Sequence, residues 1–289
     1  MLNIDNNTIK EILKDRTTNK NIIWATENDI ENNQLFNQEI EIKDTGLIKT
    51  RIEKEKIEKE KRTKTKAEVF TPSWICNEMN NNIDEEWFED KGIFNIVKDK
   101  KWSVKEGKIE FKNTQEKQWQ DYIKRTTLEI TCGEAPFLVS RYDTTTGEYI
   151  EIKNRIGLLD RKLRVINENI ENKEEWYNWV LEAYKSTYGY EWQGDNLYIA
   201  RKNLLLTFIE YYTEKFKEYP EENKIKEIAI IISWNIWQMD GLKGVIPNSC
   251  KDDCIGCKKK DIKKHNGIYC KIKDWQQDKI INFVDLVGE

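Results

Sequence analysis

The feature that most constrains the fold is an alternation of two hydrophobic periods between residues 127 and 242. Thr127-Leu128-Glu129-Ile130 has strand character. Residues 161–170 and 176–184 have helical spacing. Residues 187–191 read as a short strand and 196–212 as a helix. A buried apolar run, 228–237, follows and supplies a third strand. Strands that alternate with helices favour an α/β fold with a parallel sheet. Upstream, a helix is expected after Phe70-Thr71-Pro72, through Trp74, Ile75, Met79 and Ile83. Residues 89–118 read as a loop-rich insertion with a hairpin around Gly107.

Composition limits the alternatives. The chain has 289 residues, room for one large domain or two smaller ones. Its eleven tryptophans supply large apolar surfaces for a core. A net charge of −4 excludes a protein coated in positive potential, so any nucleic-acid contact is local. Two stretches could supply one. Residues 49–66 hold nine Lys or Arg against four Glu, and residues 251–273 hold eight Lys against three Asp. Within the first, 52–64 reads as a solvated helix with i,i+4 charge pairs, or else as an arm that contacts phosphate. No apolar run reaches the roughly 20 residues that span a bilayer, and the polar N-terminus lacks a signal-peptide core. A cytoplasmic location is therefore expected, where cysteines are thiols or metal ligands rather than disulfides.

Three boundaries follow. Residues 1–66 form a helical N-terminal segment with a charged arm. Residues 67–245 form the α/β unit, with the insertion at 89–118. Residues 246–289 form a cysteine-rich C-terminal segment. In that last segment Cys250, Cys254, Cys257 and Cys270 lie close together, with the only histidine, His265, among them. A C-x-x-C turn sets two thiolates on one metal, and a second pair closes a tetrahedral site. The four cysteines are the expected ligands of a structural zinc; His265 in place of one of them is the alternative. The lysines beside them, including Lys258, Lys259, Lys260, Lys263 and Lys264, suit phosphate or simply water. Cys76 reads as a buried small residue.

The strand ends carry a chemical pattern. Leu128-Glu129-Ile130-Thr131-Cys132-Gly133-Glu134-Ala135-Pro136-Phe137-Leu138 places a Gly-centred turn after a strand, where a backbone can pass close to a ligand. Tyr188-Gly189-Tyr190-Glu191 ends a second strand with an acid suited to two ribose hydroxyls. Asn235-Ile236-Trp237-Gln238-Met239-Asp240-Gly241-Leu242 ends a third. Glu68-Val69-Phe70-Thr71-Pro72 lies upstream. In this order the four segments resemble motifs X, I, II and III of the gamma-type adenine-N6 DNA methyltransferases, above all the modification subunits of restriction systems. The resemblance spans roughly 66–245.

The resemblance implies a Rossmann-like S-adenosylmethionine-dependent core. It implies that Phe70, Thr71 and Pro72 hold the methionine end of the cofactor. It sets Glu129, Thr131, Cys132 and Gly133 beneath the methionine and ribose, Glu191 on the ribose and Trp192 beside the adenine. Asp240 is the residue that would read the adenine amino group. The pattern departs from the family at Ala135, where a second Gly is usual, and at Pro136, which removes an N–H.

A larger departure concerns catalysis. The family grips a flipped adenine with Asn or Asp, two prolines and an aromatic residue. This chain has four prolines, Pro72, Pro136, Pro220 and Pro247, none adjacent to another and none after Asn or Asp. No catalytic residue is therefore assigned. The family order sets that motif after a fourth strand, for which residues 279–287 are the only candidate. The core is expected to be incomplete, with an open sheet edge covered by a second subunit or a second copy. DNA is the expected partner. A non-catalytic, zinc-stapled DNA- or protein-binding module that keeps the fold is the competing reading, and an RNA or protein acceptor fits the cofactor motifs as well.

Overall fold

The computed structural model describes residues 4–25, 35–54, 56–66, 68–112 and 117–287. The strand–helix alternation produces a parallel sheet. Strands β3 (Thr127–Glu129), β4 (Thr187–Glu191) and β5 (Ile236–Gln238) lie side by side in chain order. Thr127 pairs with Thr187, and Gly189 pairs with both Glu129 and Ile236. Two helices make each crossover. Helices α5 (Leu158–Asn169) and α6 (Lys173–Lys185) join β3 to β4. Helices α7 (Gly194–Phe216) and α8 (Glu222–Asn235) join β4 to β5. Asn172 starts α6 by accepting a hydrogen bond from the Glu175 N–H at 3.0 Å, a standard N-cap.

The third strand is shorter than its apolar run suggests. Of residues 228–237, Ile228 to Asn235 belong to α8, and only Ile236 and Trp237 are in β5. A helix buried on most sides is apolar at nearly every position, so periodicity does not separate it from a buried strand. Helix α8 packs against α6, α7 and the N-terminal helix α1 (Asn6–Leu13). Buried Arg201 on α7 locks this arrangement. Its guanidinium donates to the carbonyls of Ile12, Lys14, Ser233 and Ile236, at the C-terminal ends of α1 and α8. The Ile22–Trp24 segment makes only an isolated bridge, Ile23 to Glu39, but the Gln238 side-chain amide pairs with both backbone groups of Ile23 at 2.8 Å.

The two faces of the sheet are covered differently. Ile236 points into the large helical core with Trp176, Phe208 and Tyr212. Tyr190 and Trp237 point the other way, into a smaller cluster with Met239, Ile246, Cys270 and Ile272. That second face is covered by an antiparallel hairpin, β6 (Lys271–Asp274) with β7 (Lys279–Asn282). The expected fourth strand at 279–287 is thereby corrected. An Asx turn, in which Asp274 Oδ1 accepts the N–H groups of Gln276 and Gln277, folds this segment back on its neighbour. It ends in a 3-10 turn over Phe283–Leu286. Among the described residues nothing pairs with the outer edge of β3, and Leu128 and Ile130 there are exposed.

Helix α2 (Lys56–Lys66) occupies the charged segment, and α3 (Ser73–Phe88) begins where expected after Pro72. Asp143 Oδ2 accepts the Ser73 N–H at 2.7 Å. The insertion does contain a hairpin, β1 (Asn95–Lys98) with β2 (Lys101–Val104). Its turn is at Asp99-Lys100, both left-handed at φ 52° and 63°, and not at Gly107. Residues 113–116 of the insertion lie outside the described residues. Helix α4 (Trp119–Lys124) leads into β3. No described helix is long and apolar enough to cross a membrane.

Candidate ligand cavity and metal centre

The cavity forms where β3 and β4 end. Beyond Glu129 the chain turns through three left-handed residues, Thr131 (φ 47°), Gly133 (φ 55°) and Ala135 (φ 64°). The Cys132 N–H donates to the Tyr190 carbonyl at 2.9 Å, which ties the loop to β4. This doubled-back loop walls a cavity of about 610 Å³, within the ~300–1,000 Å³ typical of small-ligand sites. Eight of the ten expected cofactor residues line it: Phe70, Thr71, Glu129, Thr131, Cys132, Gly133, Glu191 and Trp192. They come from the three separate segments before α3, after β3 and after β4. Gly133 suits its left-handed φ, while a Cβ there would make only ordinary contact, 3.5 Å, with the Phe70 ring.

The other two expected residues serve elsewhere. Pro72 is the N-cap residue of α3 and does not line the cavity. Asp240 does not line the cavity. Its Oδ1 accepts the Leu242 N–H at 3.1 Å and its Oδ2 lies 3.2 Å from Lys243 Nζ. Both oxygens of this carboxylate are thus engaged within the turn after β5.

Two buried carboxylates face the ligand space. Glu191 Oε2 accepts the Gly133 N–H at 2.8 Å, and its Oε1 accepts that of Gln193 at 2.9 Å. Burial raises its pKa, and those N–H donors oppose the rise. Glu129 accepts from Phe137 at 3.5 Å and Leu138 at 3.2 Å. Burial pushes it well above the usual carboxylate range, and Glu191 adds to the rise. Each oxygen keeps an unused lone pair for a hydroxyl donor.

The walls also hold polar atoms without partners. Trp192 Nε1 and Asn196 Oδ1 are buried and make no hydrogen bond among the described residues; Glu68 Oε1 makes none either but lies 3.8 Å from both Arg51 Nη1 and Lys54 Nζ. All three residues line the cavity. Buried polar groups are rarely left unpaired, so such atoms point to a ligand or water. Asn196 and Gln193 were not foreseen from the sequence. Their signal was positional: both fall in the turn from Glu191 into α7, where a ligand beside Glu191 would meet them.

The charged segment supports this cavity from behind. Arg62 Nε donates to Glu68 Oε2 at 2.6 Å and its Nη2 lies 3.0 Å from Asp195 Oδ2. Lys54 Nζ lies 3.3 Å from the same carboxylate oxygen. All four side chains are buried. Neither sequence expectation for 52–64 covers these two cations, which are neither solvated nor free for phosphate. Burial raises the pKa of Asp195, but Lys54 and Arg62 outweigh it and hold the group at about 2.

The metal-binding group assembles in the C-terminal segment. The Sγ atoms of Cys250, Cys254 and Cys257 lie 3.6, 3.4 and 3.6 Å from His265 Nδ1. All four ligand atoms lie within 4.8 Å of one another. A tetrahedral ion bound at 2.0–2.3 Å needs edges of about 3.5 Å, so this group could hold a metal ion with small adjustment. Cys270 is the correction here, and His265 takes its place. Cys270 is fully buried just before β6, where its Sγ–H donates to the Gln238 carbonyl at 3.3 Å and it packs with Tyr190 and Trp237. Gly256 permits the knuckle, because a Cβ there would stand 2.6 Å from the His265 nitrogen. Cys76 is buried, as expected. Comparison with protein-family models, with curated proteins and with solved structures finds no match in any of the three.

Proposed function

We propose that the cavity binds S-adenosylmethionine. In this reading the chain is the cofactor-binding part of a DNA adenine-N6 methyltransferase-like protein of a restriction-modification system. The observation that carries the reading is convergence. Residues from three distant motifs, chosen by resemblance alone, line one cavity whose wall holds an unpartnered donor and an unpartnered acceptor, Trp192 Nε1 and Asn196 Oδ1.

The donor set fits the cofactor. Glu191 has lone pairs free for ribose hydroxyls, and Trp192 offers an apolar face and an N–H. Asn196 Oδ1 accepts an amino or hydroxyl hydrogen. Glu129 and Glu68 set carboxyl oxygens along the cavity, which can accept hydrogen bonds from an α-ammonium group. When bound, the cofactor supplies an electrophilic methyl group. The residues of this chain hold and orient it and keep it from water. The acceptor site is assigned elsewhere, because the Asn- or Asp-Pro-Pro-aromatic segment that grips a flipped adenine is not in this sequence. A partner chain bearing that motif completes the enzyme, and the unpaired edge of β3 is a place where it could join the sheet. The cysteine–histidine group holds a structural zinc.

Titration calorimetry tests the reading. S-adenosylmethionine is expected to bind the wild type, and Glu191→Gln and Asn196→Ala to weaken it about tenfold each, the cost of removing one or two hydrogen bonds. No binding by metal-loaded wild type sinks the proposal. Metal analysis should return one zinc per chain. A second reading, a binding module that kept the fold without the chemistry, draws on the Asp240–Lys243 pair. Methyl transfer to DNA by this chain alone would remove it.

A further inference from the structure

We infer that the metal-stapled knuckle and the adjoining turn after β5 form the surface that meets duplex DNA. The inference rests on DNA as the partner in the reading above, but not on the cofactor cavity. Three observations carry it.

The first is charge. The protein is net negative, yet residues 250–271 hold seven Lys against three Asp. Three thiolates around a divalent ion add only one negative charge, which leaves this knuckle with a net of about +3. Lys251, Lys258, Lys259, Lys260 and Lys264 are exposed. By contrast Arg62 and Lys54 of the other basic stretch are buried in ion pairs.

The second is apolar exposure inside the basic patch. Leu242, at the tip of the turn, is 90% exposed, and Ile255, between two metal ligands, is 55% exposed. Neither covers any core. Apolar side chains among lysines suit contact with sugars and base edges between phosphate contacts.

The third is position. The turn is joined to the knuckle by the Val245–Tyr269 bridge, and a Cβ on Gly244 would touch Ile262 at 3.7 Å. The turn leaves the sheet at the carboxyl end of β5, the end at which β3 and β4 open into the cavity. A duplex on the knuckle therefore lies along the cofactor side of the sheet.

Fluorescence anisotropy with a short duplex and metal-loaded protein tests this. The triple variant K258Q/K259Q/K260Q is expected to bind at least tenfold more weakly at about 50 mM salt. Its log K against log salt plot should be shallower by about 2 to 3, near 0.9 for each phosphate that is no longer neutralised. K98Q/K101Q, which removes charge from the distant β1–β2 hairpin, should change affinity less than twofold. Leu242→Asp should weaken binding with little change in salt slope. Equal effects of the triple and the control variants would overturn the assignment. So would tighter binding of single-stranded RNA than of duplex, or no duplex binding by the wild type. S-adenosylmethionine calorimetry on the triple variant should match wild type, so failure of the cofactor reading and failure of this surface are separately visible.

Discussion

The helical core and the cysteine knuckle are two solutions to one problem, that of ordering a chain rich in Lys and Glu. In the core, α6 and α7 bring Trp176, Phe208 and Tyr212 together, with Phe216 closing on Trp176 at a ring separation of 5.3 Å. Apolar area does the work there. Between Cys250 and His265 the only large aliphatic side chains are Ile255 and Ile262, and Ile255 is exposed. That segment cannot offset its conformational entropy by burial. Bonds from Cys250, Cys254, Cys257 and His265 to the proposed metal ion would supply the difference. The difference teaches that the two regions should fail separately, under different treatments.

The largest effect should follow from metal removal. Structural zinc contributes on the order of 10 kcal/mol to the folding of such segments. Chelation, or Cys254→Ser, should therefore strip hydrogen-exchange protection from residues 250–269 while α7 and α8 keep theirs. Parallel loss of protection in α7 would show that the two regions share one cooperative unit. The converse treatment is Trp176→Ala. Its fully buried side chain should cost about 3–5 kcal/mol in urea unfolding, and metal content should stay at the wild-type value.

The same contrast explains what the sequence could reveal. Short-range signals were legible. The acid-ended strand at Glu191, the Gly133 turn and the C-x-x-C knuckle are each set by a few neighbouring residues, and each formed where expected. Features that depend on what lies opposite were not. Ile228 to Ile232 are apolar because α1, α6 and α7 surround the helix, which a strand in the same place would also require. Residues 279–282 fold on β6 and not on the parallel sheet, because the Asp274 turn competes locally. Cys270 yields its place to His265 because its thiol is held at the Gln238 carbonyl. Lys54 and Arg62 look like surface charges until Asp195, more than a hundred residues away, is seen between them. Residues of three of the four motifs do meet, because the parallel pairing of β3 with β4 brings their ends together.

The Lys54–Arg62–Asp195 cluster provides an intermediate effect, confined to the cavity side. The folded Asp195 is held at about 2, below the ordinary value of 3.8. A depressed carboxylate pKa adds stability that is complete above pH 3.8 and is lost as the pH falls through about 2. The size is about 2 kcal/mol. Asp195→Asn should therefore flatten the acid limb of the stability–pH curve between about pH 4 and pH 2. It should leave knuckle protection at neutral pH unchanged. An acid limb identical to that of wild type would place the pH dependence in other carboxylates.

The smallest effect tests the loop that walls the cavity. Ala135 holds φ 64°, where an L-residue pays roughly 1–2 kcal/mol that Gly does not. The methyltransferases whose motif this loop resembles usually carry Gly at this position, which adopts such a φ without that cost. Against this, Ala135 is fully buried, so its methyl group contributes about 0.8 kcal/mol by burial. Gly would also lose about 0.5–1 kcal/mol by loosening the unfolded chain. These terms nearly cancel, and Ala135→Gly should lie within about 0.5 kcal/mol of wild type in urea unfolding. A loss beyond about 1.5 kcal/mol would mean that packing of the methyl group governs the loop. The cavity wall would then be held, like the helical core, by buried apolar contact.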